Sequence, residues 1–288
     1  LADAALPENI CASSDAAEVV RDAEAVVLVP PSSHLRRVST AVASAIPPDA
    51  VVVVATKGIE EQSLKLMSAV IGETMPHLEP ERLAFLSGPT FAKEVARGLP
   101  TDVVVASTGS ATARKIQALV HSPALRVYTS ADPIGVQVGG AVKNVLAIAT
   151  GACDALHFGA NARAALITRG LAEITRLGVA LGADPLTFLG LAGVGDLVLT
   201  CTGDLSRNRT LGARIAEGAD ATAYLASQRS VAEGFSTSAA TAELARTLGI
   251  EMPITEQVYH VLHHGRSLLE AVRQLLERSS TDELVGIR

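Results

Sequence analysis

The sequence predicts an α/β protein: a doubly wound, largely parallel sheet followed by an all-helical domain. Three observations carry that prediction. Short β-rich runs alternate with amphipathic segments up to about residue 130, and after Asp132 long Ala/Leu/Gly-rich stretches follow without a convincing strand. The third is size, since 288 residues, 48% of them hydrophobic, can build two cores.

The runs "AVVLVP" (25–30), "VVVVAT" (51–56), "LAFLSG" (83–88), "DVVVAS" (102–107) and "LRVYTS" (125–130) are short, apolar and rich in β-branched or aromatic residues, and read as strands. Between them, "SSHLRRVSTAVASAI" and "SLKLMSAVIGETM" carry apolar residues at helical spacing. The polar "TSADP" at 129–133 marks the boundary between a first domain, 1–132, and a second, 133–288. Helices are expected there at 134–157, 160–182, 206–217, 235–248 and 254–264. No repeat or low-complexity segment interrupts either part.

Composition excludes several functions. A net charge of −6 without a basic cluster argues against nucleic acid or an anionic membrane as partner, and 3% aromatic residues with no Trp leave no base-stacking platform. The runs "AVVLVP" and "VVVVAT" stop far short of the ~20 residues that span a bilayer, and the start of the chain lacks a basic-then-apolar signal pattern. Cys11, Cys153 and Cys201 are odd in number, far apart and without metal spacing. They fit reduced thiols in a cytoplasm, as small buried hydrophobes.

In an open parallel sheet ligands sit outside the carboxyl ends of the strands, so residues that follow strands come first. In "VPPSSH", Pro30 and Pro31 end a run and Ser32 and Ser33 stand as caps of the next helix. "VVVVATKGIE" delivers Lys57 off a buried run onto a glycine, as a solvated loop charge or a ligand-facing cation. "LSGPTFAKEV" takes a strand through Gly88 and Thr90 into a helix, either a plain capped turn or a contact for an anion or coenzyme. In the helical part, Asp196 follows "GVG" and precedes apolar "LVLT", as a cap or a structural hydrogen-bond acceptor. Ser206, Arg207 and Asn208 open a helix with free N–H groups and a guanidinium fork, a combination that suits a phosphate or an ordinary cap with a solvated arginine. Lys143 stands among Val136, Ala141, Val142, Val145, Leu146 and Ala147, so it must snorkel or find a partner. Desolvation lowers such a lysine's pKa and a carboxylate raises it again, which tunes it for proton exchange near neutrality.

Taken together, "ATKGIE", "SGPTFAKEVARGLPT", "GVQVGGAVKN", "FGANARAALITRGLAEITRLG", "GVGDLVLTC" and "SRNR", in that order, resemble the bacterial-type NAD(P)-dependent glycerol-3-phosphate dehydrogenases over essentially the whole chain. The resemblance implies a Rossmann-like first domain, NAD or NADP as coenzyme, and interconversion of sn-glycerol 3-phosphate and dihydroxyacetone phosphate for phospholipid synthesis. It implies that Lys143 exchanges the C2 hydroxyl proton, that Lys57 touches both coenzyme and substrate, and that Asp196 orients the two lysines. Gly88, Thr90, Ser206, Arg207 and Asn208 resemble substrate contacts. Ala92, Val231 and Glu233 resemble coenzyme contacts, with Arg207 also near the coenzyme. A cytoplasmic homodimer without metal is the further implication.

The chain departs from the family at its start. The family opens with a strand, a G-x-G-x-x-G turn and a helix that holds the pyrophosphate, and no such motif precedes "AVVLVP". The expectation is therefore an incomplete sheet lacking the first βαβ unit. The alternative reading is a coenzyme-free relic that binds phosphorylated trioses or a partner chain without catalysis.

Overall fold

The computed structural model of the chain describes residues 7–228, 231–279, 282–283 and 286. The five β-rich runs form β1 (Ala25–Leu28), β2 (Val51–Val54), β3 (Leu83–Ser87), β4 (Thr101–Ala106) and β5 (Leu125–Ser130), side by side in that order. Interleaved with them are α1 (Ala16–Val20), α2 (Ser32–Val42), α3 (Met67–Thr74), α4 (Ala92–Val95) and α5 (Ser110–Val120). The unbroken valines of β2 are explained by cover on both faces. Val52 and Val54 pack with Leu35 of α2 and Met67 and Val70 of α3, whereas Val51 and Val53 pack with Ile116 of α5 on the other side.

The sheet is parallel except at one seam. β1, β2 and β3 run together and β4 runs with β5, but β3 meets β4 antiparallel, with Phe85 opposite Ala106 and Ser87 opposite Val104. A parallel return requires a crossover long enough to recross the sheet. Between β3 and β4 the only helix is α4, four residues long, and Gly98 turns the chain with φ at 69°.

The second part is helical: α6 (Pro133–Ala155), α7 (Gly159–Ala180), α8 (Asp196–Thr202), α9 (Arg207–Ala216), α10 (Ala221–Ser227), α11 (Gly234–Leu248), α12 (Pro253–His264) and α13 (Leu268–Leu276). The five expected helices are present within two residues at each end, and α8, α10 and α13 are additional. Asp132 caps α6, its carboxylate accepting from the Gly135 amide at 2.9 Å, with Pro133 in the first turn where its missing N–H costs nothing. α6 is the axis of this part. Val138, Ala141, Val142 and Leu146 pack with Ile174 and Leu177 of α7, Leu197 of α8 and Leu244 of α11. Among the described helices α6 alone is long and apolar enough to cross a membrane, which the short apolar runs of the strands did not suggest; 94% of that window is buried inside the fold.

α6 and α9 cross on glycines. A β-carbon at Gly212 would lie 1.9 Å from the Ile148 carbonyl oxygen, and one at Gly151 would lie 1.9 Å from that of Arg209. Neither neighbour is a side chain that can rotate away. Gly212→Ala is therefore expected to force the helices apart and cost about 1–3 kcal/mol, as overpacked cores do. A thermal melt checks this; an unchanged midpoint would mean that the crossing relaxes freely.

Candidate active site

β2 ends against α6, and the site lies at this seam. The chain leaves β2 through Thr56, which is pinned by a hydrogen bond from its hydroxyl to the Pro30 carbonyl at 2.7 Å, and presents Lys57 at the carboxyl end of the sheet. The Lys57 stem runs along α6 where Gly140 stands. A β-carbon there would lie 2.9 Å from Ser87 Oγ and 3.5 Å from Lys57 Cγ, so the glycine admits both side chains to the helix surface.

Lys143 follows one turn later on the same helix and is 6% exposed. Its Nζ donates to Asp196 Oδ1 and, at 2.9 Å, to Thr200 Oγ1. Lys57 Nζ donates to the other oxygen of the same carboxylate at 2.6 Å and to the Gly88 carbonyl at 3.3 Å. Asp196 is 1% exposed, so one buried carboxylate bridges two ammonium groups. It opens α8 and follows the Gly-rich turn Leu191–Gly195, while Thr200, one turn on, also bonds the Asp196 carbonyl at 2.6 Å. Thr200 is a member of this centre that the sequence reading missed. The i, i+4 spacing from Asp196 on a helix is the signal that would have found it.

The electrostatics follow from burial and proximity. Burial, and then the nearby Lys57 ammonium, push the Lys143 pKa down; Asp196 pushes it back up, and the balance rests at about 7. Burial alone would raise the Asp196 carboxyl. The two ammonium groups and their hydrogen bonds outweigh it and hold the acid below the ordinary aspartate value. At neutral pH the carboxylate is charged and Lys143 is poised to gain or lose a proton.

The other expected residues are placed unequally. Gly88 adopts φ 133°, a conformation that favours glycine, and its carbonyl also accepts from Thr90 Oγ1 at 3.2 Å, so both sit beside Lys57. Ala92 is exposed at the start of α4, and Val231 is 47% exposed. Ser206 and Asn208 are buried and each bonds the protein with part of its capacity. Ser206 Oγ caps α9 through the Arg209 amide at 3.2 Å; Asn208 donates to Asn144 Oδ1 at 2.9 Å and accepts from the Gly234 amide at 3.0 Å. Arg207 is different. It is exposed and lines a cavity with Lys93, Thr210, Tyr224 and Gln228. Glu233 reaches across to the sheet half, accepting from Ser32 Oγ at 2.6 Å and from the Ser32 amide at 3.3 Å. Ser32 is thus the first residue of α2 and Glu233's partner, while Pro31 takes the capping position. Among the described residues no group of three or more His, Cys, Asp or Glu is placed to hold a metal.

A sheet open at its carboxyl ends, closed by a helical part that supplies a buried lysine and its acid, is the architecture of a two-part nucleotide-dependent dehydrogenase. The comparisons narrow the class. The profile of the NAD-dependent glycerol-3-phosphate dehydrogenase N-terminus matches residues 1–113, and that of the C-terminus matches residues 132–273. The glycerol-3-phosphate dehydrogenase [NAD(P)+] of Syntrophobacter fumaroxidans is 50% identical over 279 residues, covering 97% of this chain and 82% of the relative. That of Leptospira biflexa is 48% identical, with 96% and 83% covered. The crystal structure of glycerol-3-phosphate dehydrogenase from Coxiella burnetii superposes with a TM-score of 0.92 at 38% identity, covering 96% of this chain and 84% of that one. The chain belongs to the NAD-dependent glycerol-3-phosphate dehydrogenase family. The expectation that the first βαβ unit is absent gains no support, because the N-terminal profile matches from residue 1; residues 1–6 lie outside the described ones.

Proposed function

We propose that this protein interconverts sn-glycerol 3-phosphate and dihydroxyacetone phosphate with NAD or NADP, and so supplies glycerol 3-phosphate for phospholipid synthesis. The observation that carries the reading is the buried Lys57–Asp196–Lys143 bridge at the carboxyl end of the sheet. When bound, the coenzyme accepts or returns the hydride of the C2 carbon.

The residues around it do the rest. In oxidation, neutral Lys143 takes the C2 hydroxyl proton as the C2–H bond breaks; in reduction, protonated Lys143 returns that proton to the C2 oxygen. Asp196 holds both lysines and keeps the second ammonium close enough to lower the pKa of the first. Lys57, with Gly88 and Thr90, orients the substrate oxygens. Ser206 and Asn208 act mainly by fixing the start of α9, so that Arg207 faces the phosphate. Ala92, Val231, Glu233, Lys57 and Arg207 line the coenzyme side. A fit for that group is supported by the carboxyl end of the sheet, where the part-exposed Lys57 stands; the buried, unpartnered Ser87 Oγ beside Lys57, Thr56 and Gln137 borders a cavity of about 10 Å³, room for a water. The Glu233 carboxylate on the Ser32 donors adds a polar wall on the helical side of the crevice.

The domain division proposed is a dinucleotide-binding part, 1–132, and a substrate-binding part, 133–288. We place the protein in the cytoplasm as a homodimer. The test is turnover: the purified, folded protein should oxidise NADH or NADPH with dihydroxyacetone phosphate. Absence of turnover with both coenzymes would overturn the reading. Arg207→Ala should weaken glycerol 3-phosphate binding by about 1.5–3 kcal/mol and lower turnover of unphosphorylated dihydroxyacetone much less, by its coenzyme contact alone. Equal losses on both substrates would place Arg207 away from the phosphate.

A further inference from the structure

We propose that the Arg36–Glu60 ion pair is a positioning device for Lys57, fixing where its ammonium stands against Asp196 and Lys143. The proposal rests on the reading of Lys57 as part of the reaction centre. Neither residue touches that centre. Their effect is transmitted through the three residues that follow Lys57.

After Lys57 the chain runs Gly58, Ile59, Glu60 with its residues directed alternately to two sides. Gly58 lies against α2, where an added β-carbon would be 2.6 Å from Ser32 Cβ. Glu60 also turns to α2. Its carboxylate, on a side chain 9% exposed, takes a bidentate pair from Arg36, Nε to Oε1 at 2.9 Å and Nη2 to Oε2 at 2.7 Å. Ser32 and Arg36 are four apart and share one face of α2, so the helix grips the segment at two points one turn apart. Ile59, between them, turns the other way. It is 1% exposed and packs into the core with Val138, Ala141 and Val142 of α6, the helix that carries Lys143.

The segment is thus clamped between α2 and α6, with Lys57 at its start. The clamp is braced from behind. The Glu60 amide donates to the Lys65 carbonyl at 2.9 Å, closing a short loop in which Leu64 takes a left-handed φ of 56°. Arg36 Nη2 also reaches Glu73 of α3 at 2.7 Å, and Lys65 pairs with the same carboxylate. Exposed ion pairs contribute little, but Glu60 is nearly buried, and its fork has geometry that a single-point contact lacks.

Glu60→Gln keeps the shape and removes the charge. The segment should loosen on the α2 side, and Lys57 should drift from Asp196. Misplacement on the scale of an ångström is expected to lower kcat by about ten- to a hundredfold, with a smaller change in KM for glycerol 3-phosphate. The charged and titratable groups that face Lys143 are Lys57, Asp196 and the Cys201 thiol. Because the Lys57 ammonium depresses Lys143, its retreat should move the Lys143 titration upward. That titration is read in the pH profile of kcat/KM and, independently of turnover, by nitrogen NMR of the lysine side chain. Arg36→Lys, which retains the charge but loses the fork, should move both readouts in the same direction by less. Arg273→Gln, which breaks an exposed pair with Glu277 at the end of α13 and outside this cluster, should leave both in place.

A wild-type protein that turns over neither substrate would remove the proposed reaction, while the NMR titration would still decide the positioning. If Glu60→Gln and Arg36→Lys are folded, keep kcat within about twofold and leave the Lys143 titration unmoved, the pair is only a structural tie and the inference falls.

Discussion

Lys143→Ala is expected to lower kcat/KM by about 10²–10⁴-fold, the range lost with a general acid–base, and to change coenzyme affinity much less. The pH dependence supplies a sharper check than the magnitude. With the Lys143 pKa at about 7, oxidation of glycerol 3-phosphate needs the neutral amine, so kcat/KM should rise as pH rises through about 7. Reduction of dihydroxyacetone phosphate needs the ammonium, so kcat/KM in that direction should fall over the same range. Lys143→Ala should lose both limbs. Lys143→Arg should be as poor as alanine in oxidation, since a guanidinium does not release its proton at these pH values. An alanine variant that keeps about half of the wild-type kcat/KM would end the assignment.

Asp196→Asn is the second large effect, and it combines catalysis with stability. It removes the carboxylate that the two lysines share and leaves their ammonium groups facing each other. Breaking a buried pair by deleting one partner costs about 3–5 kcal/mol where the remaining charge must stay. Lys143 can escape part of that cost by losing its proton. Its folded-state pKa, already depressed from 10.5 to about 7, should fall further once the raising influence of Asp196 is gone. For a base depressed in the folded state, the unfolded chain binds more protons between the two pKa values, so stability is lost as pH falls through that window. The melting temperature deficit of Asp196→Asn should therefore be larger at pH 6 than at pH 9, both chosen to bracket about 7. A deficit independent of pH would mean that Lys143 does not titrate there. In oxidation the variant has the neutral amine but not the held geometry, and a loss of at least about 10²-fold is expected.

How much of this was legible in the sequence differs by element and by residue. The strands were legible because "VVVV" and its neighbours must be buried on one or both faces, and few alternatives exist for such runs. Strand direction was not. Whether β4 returns parallel or antiparallel depends on how far the chain after Ser87 travels, and side-chain pattern does not encode that distance. Lys143 drew attention because an ammonium amid apolar neighbours needs a partner, but the partner lies 53 residues away. Asp196 read equally well as a cap, since a carboxylate after a Gly-rich turn and before an apolar run has the same local signature in both roles. Ser206 and Asn208 were expected at the phosphate; the structure adds that each also ties the start of α9 to the protein, through the Arg209 amide, Asn144 and the Gly234 amide, while the Ser206 hydroxyl proton and one Asn208 amide proton are left over. Spacing identifies polar atoms but does not reveal which intramolecular bonds they also make. The Glu233–Ser32 contact spans 201 residues and had no local trace at all.

The crossing of α6 and α9 bears on how tolerant this protein is of change. Lys143 and Arg207 are carried by helices whose nearest approach is main chain to main chain, at Gly151 and Gly212, with no rotatable group between them. The separation of the two helices at that crossing is thus set by the peptide skeleton, in the manner of a fixed gauge. Mutations elsewhere in the helical part can repack side chains without resetting that gauge. Under the roles proposed for Lys143 and Arg207, selection for a longer or shorter phosphorylated substrate is expected to act on the two glycines or on the side chains mounted at either end. Variants with altered chain-length preference should accordingly cluster at those positions, and random substitution across the remaining core should change stability while leaving substrate length unchanged.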